Sequence, residues 1–182
     1  MTSAAKNPAW NPDRLDVLAM ARAGGELSAT DPLERYARLA ESGVPGTVGG
    51  EVVWRVLAEL REGRARPVPW LHLQATAALP VACQRCLQPV VVPLEVDRWF
   101  RFVSDEATAE TEDEDSEEDV LALEPRPSLR ELIEDELLME LPLVPMHENC
   151  PEPLVAPAQD APAFVGRDEK PHPFAALGKL KR

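Results

Sequence analysis

Three cysteines and one histidine form the pattern with the most defined chemistry in this chain. Cys83 and Cys86 are separated by two residues, and Cys150 follows His147 at the same spacing. A two-residue gap lets one tight turn direct two side chains at the same ion, and a closed structural zinc site needs four such ligands. The sequence therefore predicts a zinc site made by Cys83, Cys86, His147 and Cys150.

The same cysteines are open to three other interpretations. A thioredoxin-type redox pair needs a helix directly after the Cys-x-x-Cys, and a strand-like segment follows here instead, although Arg85 between the thiols would still favour a thiolate. A disulfide is the second alternative, which a reducing cytosol disfavours. In the third, the cysteines are small buried residues and His147 is an ordinary turn residue.

Alternating apolar and polar residues on both sides of the Cys-x-x-Cys predict the strands that would position it. The alternation covers residues 51–61, 70–79 and 90–103, and it is typical of strands with one buried face. Short connections indicate an antiparallel meander, because parallel strands need a crossover of about a dozen residues or more. The Cys-x-x-Cys would then lie at the hairpin between the second and third strands.

Helix signals lie before and after these strands. Asn11 and Pro12 predict the start of a first helix, and a second is expected from Thr30 to Gly43. A short strand is expected over 120–123. Ser128 and Glu131 form a capping box that begins a further helix. The acidic residues of that helix are interpreted as its solvated face rather than a catalytic pair: Glu134, Asp135, Glu136 and Glu140.

The formal charge of −13 is concentrated in one segment. Residues 105–119 hold ten of the 32 acidic residues and no basic one. Such a segment repels itself and buries little, so it predicts a disordered loop that either aids solubility or binds a basic partner. The first 20 residues lack the apolar core of a signal peptide, and no run approaches the roughly eighteen apolar residues of a membrane helix. We therefore expect a cytoplasmic protein without a membrane partner.

These features predict a single domain over residues 1–182 in the α+β class. We expect an antiparallel β-meander or a small barrel-like sheet packed with a few helices. The predicted parts are N-terminal helices in 10–43, antiparallel strands in 48–103, an acidic loop over 104–119, a strand and helix in 120–146, and an irregular tail over 147–182.

Four motifs follow one another in an order that is specific. They are the corner from Cys83 to Leu87, the segment from Glu134 to His147, the late Cys150, and the segment from Lys170 to Leu177. In this order they resemble the bacterial YceD family, with the resemblance reaching from about Trp10 to the C-terminus. His172, where a small polar residue is expected, and the acidic helix end at Met139 and Glu140 depart from the family pattern. Neither departure touches the corner.

The resemblance implies a role in the accumulation of large-subunit ribosomal RNA, and it supplies no catalytic residue. The sequence also lacks a glycine-rich phosphate loop and a Ser-His-Asp arrangement. We therefore expect a non-enzymatic factor that binds large-subunit RNA, its precursor or a basic ribosomal protein. The alternatives are an RNA-processing enzyme, whose metal would need an open position and nearby carboxylates, and a thiol oxidoreductase.

Binding to RNA would require clustered arginines for the phosphates. The expected RNA-binding residues are Arg85 at the hairpin corner and, on the third strand, Arg98, Trp99 and Arg101. Trp99 and Arg101 share the polar face, where the indole could stack on a base. In the alternative interpretation these arginines simply solvate that face.

Overall fold

The computed structural model describes residues 10–63, 66–114, 116 and 118–151. The strands are β1 Glu26–Pro32, β2 Glu51–Arg61, β3 Val68–Ala82, β4 Pro89–Val103 and β5 Asp119–Ala122. The helices of the described part are α1 Val17–Arg22, α2 Ala37–Glu41, α3 Glu106–Asp113 and α4 Leu129–Met139, with a 3-10 turn at Leu33–Arg35 before α2. None of these helices is both long and apolar enough to span a membrane.

The five strands of the described part of the chain form one open sheet in the order β1-β2-β3-β4-β5. β1 to β4 pair antiparallel with their neighbours, so the predicted meander is confirmed. β5 pairs parallel to β4, with α3 in the crossover between them. The α+β class is confirmed, and the barrel-like alternative is wrong because, in the described residues, β1 and β5 do not pair with each other to close the sheet.

The sheet has one face that packs against helices. Alternate residues of β2, β3 and β4 are buried on this core face, where α1 contacts β2 and β3, and α4 contacts β3 and β4. The largest fully buried strand residues are Leu71, Leu73, Leu79, Leu94, Phe100 and Phe102. The opposite, outer face carries the polar positions of the same strands, as their alternation predicts.

The N-terminal third differs from its prediction. Asn11 accepts a hydrogen bond from the Asp13 backbone within a turn, whereas α1 is capped by Asp16. The start of the expected second helix is part of β1, and Asp31 faces the core from that strand. Its carboxylate accepts hydrogen bonds from Trp54 Nε1 at 2.8 Å and Tyr36 Oη at 3.2 Å. Aspartate can cap a helix or accept hydrogen bonds from a buried strand position, and the local sequence does not distinguish these two roles.

The acidic segment is partly regular, so the prediction of a disordered loop is wrong for residues 106–113. Asp105 caps α3 by accepting a hydrogen bond from the Thr108 backbone at 3.0 Å. Ala109 of this helix is buried, and the helix contacts β4 and β5. The cap at Asp105 and the burial of Ala109 thus stabilise a helix within an otherwise acidic segment. The tail prediction beyond Pro151 lies outside the described residues.

The helix α4 begins as predicted but does not present all its acids to solvent. Ser128 accepts a hydrogen bond from the Glu131 backbone at 3.2 Å. Glu134 and Glu136 are buried, with 8% and 6% exposure, so the interpretation of these two residues as a solvated face is wrong. Each has a basic partner on another element. Glu136 lies 3.2 Å from the Arg98 Nε atom of β4.

Glu134 joins α4 to α2. Its carboxylate accepts hydrogen bonds from the backbone of Arg38 at 2.8 Å and of Leu39 at 3.2 Å, and from Arg38 Nε at 3.0 Å. The first amides of a helix have no partner within it, so this side chain caps α2 from across the fold. One carboxylate therefore fixes the position of two helices.

Replacing Glu134 is expected to destabilise the fold. Glu134→Ala leaves two amides of α2 without their acceptor, which should lower the free energy of unfolding by about 2–3 kcal/mol in urea denaturation. Asp135→Ala is the matched control, because Asp135 pairs with the same Arg38 at 2.6 Å but is 53% exposed. It should cost less than about 1 kcal/mol. Equal losses in the two variants would contradict the capping role.

Glu136 predicts a pH dependence of stability. Burial, only partly opposed by Arg98, raises the pKa of this carboxyl above its ordinary value of 4.5. A raised pKa in the folded state adds stability that is fully present below the unfolded pKa and is lost as pH rises through the folded pKa. Glu136→Gln should therefore gain stability relative to the wild type as pH rises from 4 to 7. Urea denaturation at several pH values measures this difference, and a constant difference would contradict it.

Candidate metal centre and RNA-binding residues

The first pair of ligands lies in the tight connection between β3 and β4. The backbone N–H of Cys83 donates to the Gln88 carbonyl at 3.0 Å, and that of Leu87 donates to the Cys83 carbonyl at 2.9 Å. Leu87 takes the left-handed conformation, with φ of 61°. These bonds close the turn and hold both Cys83 and Cys86 within it.

The second pair arrives on the segment that follows α4. Gln84 donates its backbone N–H to the Pro145 carbonyl at 2.8 Å, and the backbone N–H of His147 lies 3.5 Å from the Cys83 sulfur. The C-terminal segment is thus bonded to the hairpin corner. This contact carries His147 and Cys150 to the first two thiols.

The four predicted ligands converge. One ligand atom from each of them lies within 4.8 Å of all the others. In a tetrahedral zinc–thiolate site the ligand atoms are about 3.8 Å apart, because zinc–sulfur bonds are about 2.3 Å long. A small contraction of the side chains is therefore enough to close a four-ligand site.

His147 is oriented as a metal ligand. Its Nε2 lies 3.0 Å from the Pro89 carbonyl, which only accepts hydrogen bonds, so this nitrogen carries the proton. Nδ1 then carries the lone pair, which is directed at the Cys86 sulfur 3.4 Å away. Metal-ligating histidines commonly donate their other ring N–H to a carbonyl or carboxylate, which fixes the tautomer.

The thiols are arranged to carry negative charge at Cys83. Burial acts to raise the pKa of this thiol, but backbone N–H groups of Cys86, His147 and Arg85 outweigh it and lower the pKa to about 5. Burial and the neighbouring sulfurs raise the pKa of Cys150. The thiolate is the form that binds metal, and a divalent cation would relieve the repulsion among the sulfurs.

The residues present therefore fit a zinc ion. All three cysteines are free thiols, with Cys83 fully buried and the other two half-buried. The Cys-x-x-Cys is followed by β4 rather than by the helix N-terminus that a thioredoxin-type pair uses. If the cysteines were only small buried residues, His147 would not need to point its unprotonated nitrogen toward the three sulfurs.

The predicted RNA-binding residues do not form one patch. Arg85 is exposed at the hairpin corner, with its Nη2 4.0 Å from the Met146 sulfur. Arg98 lies on the core face and is paired with the buried Glu136. Arg101 and Trp99 lie on the outer face, where Arg101 is bonded to Glu112 of α3 and to Ser116.

Sequence reasoning missed three residues that surround Trp99. The ring of His72 stacks on Trp99 with centroids 4.3 Å apart and planes at 5°. The guanidinium of Arg61 lies 3.8 Å from the centroid of Trp99 and 4.4 Å from that of Trp70. The sequence alone does not connect His72 with Trp99, because only the β3–β4 register shows that the two residues lie opposite each other.

A family model described as large ribosomal RNA subunit accumulation protein YceD matches residues 71–181. The chain is a member of the YceD family. The match begins in β3, so the YceD region covers the corner, β4, α4 and all four candidate ligands. It starts well after Trp10, where the resemblance was expected to begin. Neither a curated protein nor a solved structure matches this YceD chain significantly.

The metal centre of this YceD protein can be tested by elemental analysis. Protein purified without oxygen should contain about one zinc per chain, and Cys83→Ser and His147→Ala should each lose it, since a structural site needs its complete ligand set. His72→Ala is the control, because this histidine lies outside the cluster, and it should retain zinc. Metal-free wild-type protein with unchanged thermal stability would show that these residues are plain thiols and a turn histidine.

Proposed function

We propose that this YceD protein is a non-enzymatic factor in the biogenesis of the large ribosomal subunit. It acts in the cytoplasm and supports accumulation or processing of the large-subunit RNA by binding that RNA or a ribosomal protein. The observation that carries the proposal is the family match over residues 71–181, which includes the hairpin corner and the segment that folds back onto it.

The metal centre supports a structural role for the ion within this proposal. Three thiolates and one imidazole would complete the tetrahedral coordination of zinc, leaving no position for water or substrate. The ion would cross-link the β3–β4 corner, at Cys83 and Cys86, to the segment after α4, at His147 and Cys150. The chemistry it supplies is this cross-link, which holds the surfaces of the hairpin and the C-terminal segment in one arrangement.

The alternative of an RNA-processing enzyme needs different residues. Metal-assisted cleavage of RNA requires an open coordination position with oxygen ligands. The two buried carboxylates of α4, Glu134 and Glu136, are held by Arg38 and Arg98. Their engagement in structural ion pairs favours the non-enzymatic function over catalysis by this carboxylate pair.

Two classes of partner fit the charges of the molecule. The acidic segment around α3 suits a basic ribosomal protein, because clustered carboxylates attract a polycation over a range set by salt. The outer face, with stacked aromatic rings and Arg61, suits nucleic acid. We favour RNA as the partner of the outer face.

Copurification tests the proposal. Tagged full-length protein should sediment with precursors of the large subunit on a sucrose gradient, and their RNA should be recovered with it. Cys83→Ser should reduce this recovery because it disrupts the metal centre, whereas the exposed control Val53→Ala should not. Absence of the wild-type protein from these particles would contradict the proposal.

An RNA-cleavage assay with the same protein distinguishes the enzymatic alternative from the proposed function. Incubation with precursor RNA and magnesium ions should leave the RNA intact under the proposal. The proposal would be contradicted if each protein molecule cleaved many RNA molecules and a substitution in the protein abolished this cleavage. The protein would then be an enzyme.

A further inference from the structure

Four planar side chains form a continuous cluster on the outer face of the sheet, which we name the aromatic ladder. It consists of Arg61 of β2, Trp70 and His72 of β3, and Trp99 of β4. The guanidinium of Arg61 lies over both indoles, and His72 stacks on the second indole. The ladder therefore spans three adjacent strands.

The register of the strands fixes this arrangement. His72 lies directly opposite Trp99, and Trp70 lies opposite Arg101. His72 Nε2 lies 2.6 Å from an oxygen of Asp97, whose other oxygen accepts a hydrogen bond from Gln74 at 2.9 Å. The strand pairing therefore fixes the position of His72, and the Asp97 carboxylate fixes the orientation of its ring. The stack is formed before any partner binds.

The ladder is not part of the hydrophobic core. α1 and α4 pack against the opposite face of the sheet, and α3 reaches the outer face at Arg101. Trp70, His72 and Trp99 are half-buried, and Val53 on the same face is 50% exposed. Two indoles that stand at the surface of a sheet are a recurrent feature of binding faces rather than of solvated ones.

An open cleft of about 1410 Å³ adjoins the ladder and shares Trp70 with it. The cleft is lined by four arginines, namely Arg22, Arg66, Arg101 and Arg126. Arg126 is bonded to Asp16, and Arg101 is bonded to Glu112. Within the described residues Arg22 and Arg66 have no ion pair, although Glu62, Glu118 and Glu124 also line the cleft. Two arginines therefore remain to receive an anionic group beside the rings.

The chemistry of the ladder selects among partners. A nucleobase can stack on an indole, an imidazole or a guanidinium plane. Trp99 has His72 on one face and Arg61 on the other, so the members that can receive a base are Trp70 and His72 at the two ends of the stack. Arg61, held by Glu59 at 2.6 Å, already lies over the indoles, so the guanidinium of an arginine-rich peptide would have to displace it. The bases of an A-form duplex are stacked on each other, so only unpaired bases can use such a surface.

We propose that the aromatic ladder is a binding site for unpaired bases of single-stranded RNA, with Arg22 and Arg66 in the adjoining cleft contacting the phosphates. This inference rests on the proposed function and names the form of RNA and the surface that binds it. Trp70 and His72 stack on bases at the two ends of the ladder, Trp99 and Arg61 form the stack that supports them, and Asp97 positions His72.

Fluorescence anisotropy with the full-length protein tests the proposal. The probes are a labelled single-stranded RNA of twelve nucleotides, its duplex, and an abasic ribose-phosphate chain of the same length. The single-stranded RNA should bind more tightly than both other probes, because only it offers unpaired bases. Trp99→Leu and Trp70→Leu should each weaken its binding about tenfold or more, whereas Val53→Ala should leave it unchanged.

Circular dichroism verifies that the variants fold, and the two tryptophans serve as independent tests if one variant does not. Equal affinity for the RNA and the abasic chain, or full affinity in both tryptophan variants, would overturn the ladder. Preference for an arginine-rich peptide over the RNA would overturn it as well. Sedimentation of wild-type protein with large-subunit precursors is measured in parallel, so failure of the proposed function is seen separately from failure of the ladder.

Discussion

The pairing of β3 with β4 is the constraint on which both candidate surfaces depend. These two strands are the longest in the sheet, with fifteen residues each, and they pair from Trp70 and Arg101 to Ala82 and Pro89. Side chains alternate between faces along a strand, so a shift by one residue would exchange the core for the outer face. The same shift would separate His72 from Trp99 and distort the corner that holds Cys83 and Cys86.

The helix α4 connects the sheet to the second half of the candidate metal centre. Its apolar side, with Leu129, Ile133 and Leu137, is buried in the core. Glu134 and Glu136 add two polar links, one to α2 and one to β4. Glu134 accepts three hydrogen bonds, and Glu136 forms an ion pair with Arg98. A buried carboxylate is costly without a partner, so both links favour one position for the helix. The segment that follows the helix is then directed toward the corner, where the Gln84 backbone N–H donates a hydrogen bond to it.

Sequence patterns predicted most of what depends on local periodicity. The alternation in β2 located that strand from Glu51 to Arg61 without error, and the spacing of the cysteines and histidine identified all four converging ligands. The capping role of Ser128 was also local and was predicted. These features were predictable because the information lies within a few residues, or because a four-ligand metal site would require a fixed spacing.

Features that depend on distant partners were not predictable. The acceptor role of Glu134 depends on amides 95 and 96 residues earlier in the chain, so the local sequence does not distinguish it from a solvated helix position. β1 was missed because Thr30 and Asp31 resemble the capped start of a helix, and Asp31 is buried only through donors on other elements. The aromatic ladder was missed because it exists only after three strands have taken their register.

The separation of the two ligand pairs has a consequence for synthesis on the ribosome. His147 is 61 residues beyond Cys86, so a growing chain exposes the first two thiols long before the other ligands exist. At about 5–20 residues per second, this interval lasts roughly 3–12 s. During it β2, β3 and β4 can pair while the corner holds only two thiol ligands. Completion of the four-ligand set therefore marks a nascent chain whose α4 has emerged and docked.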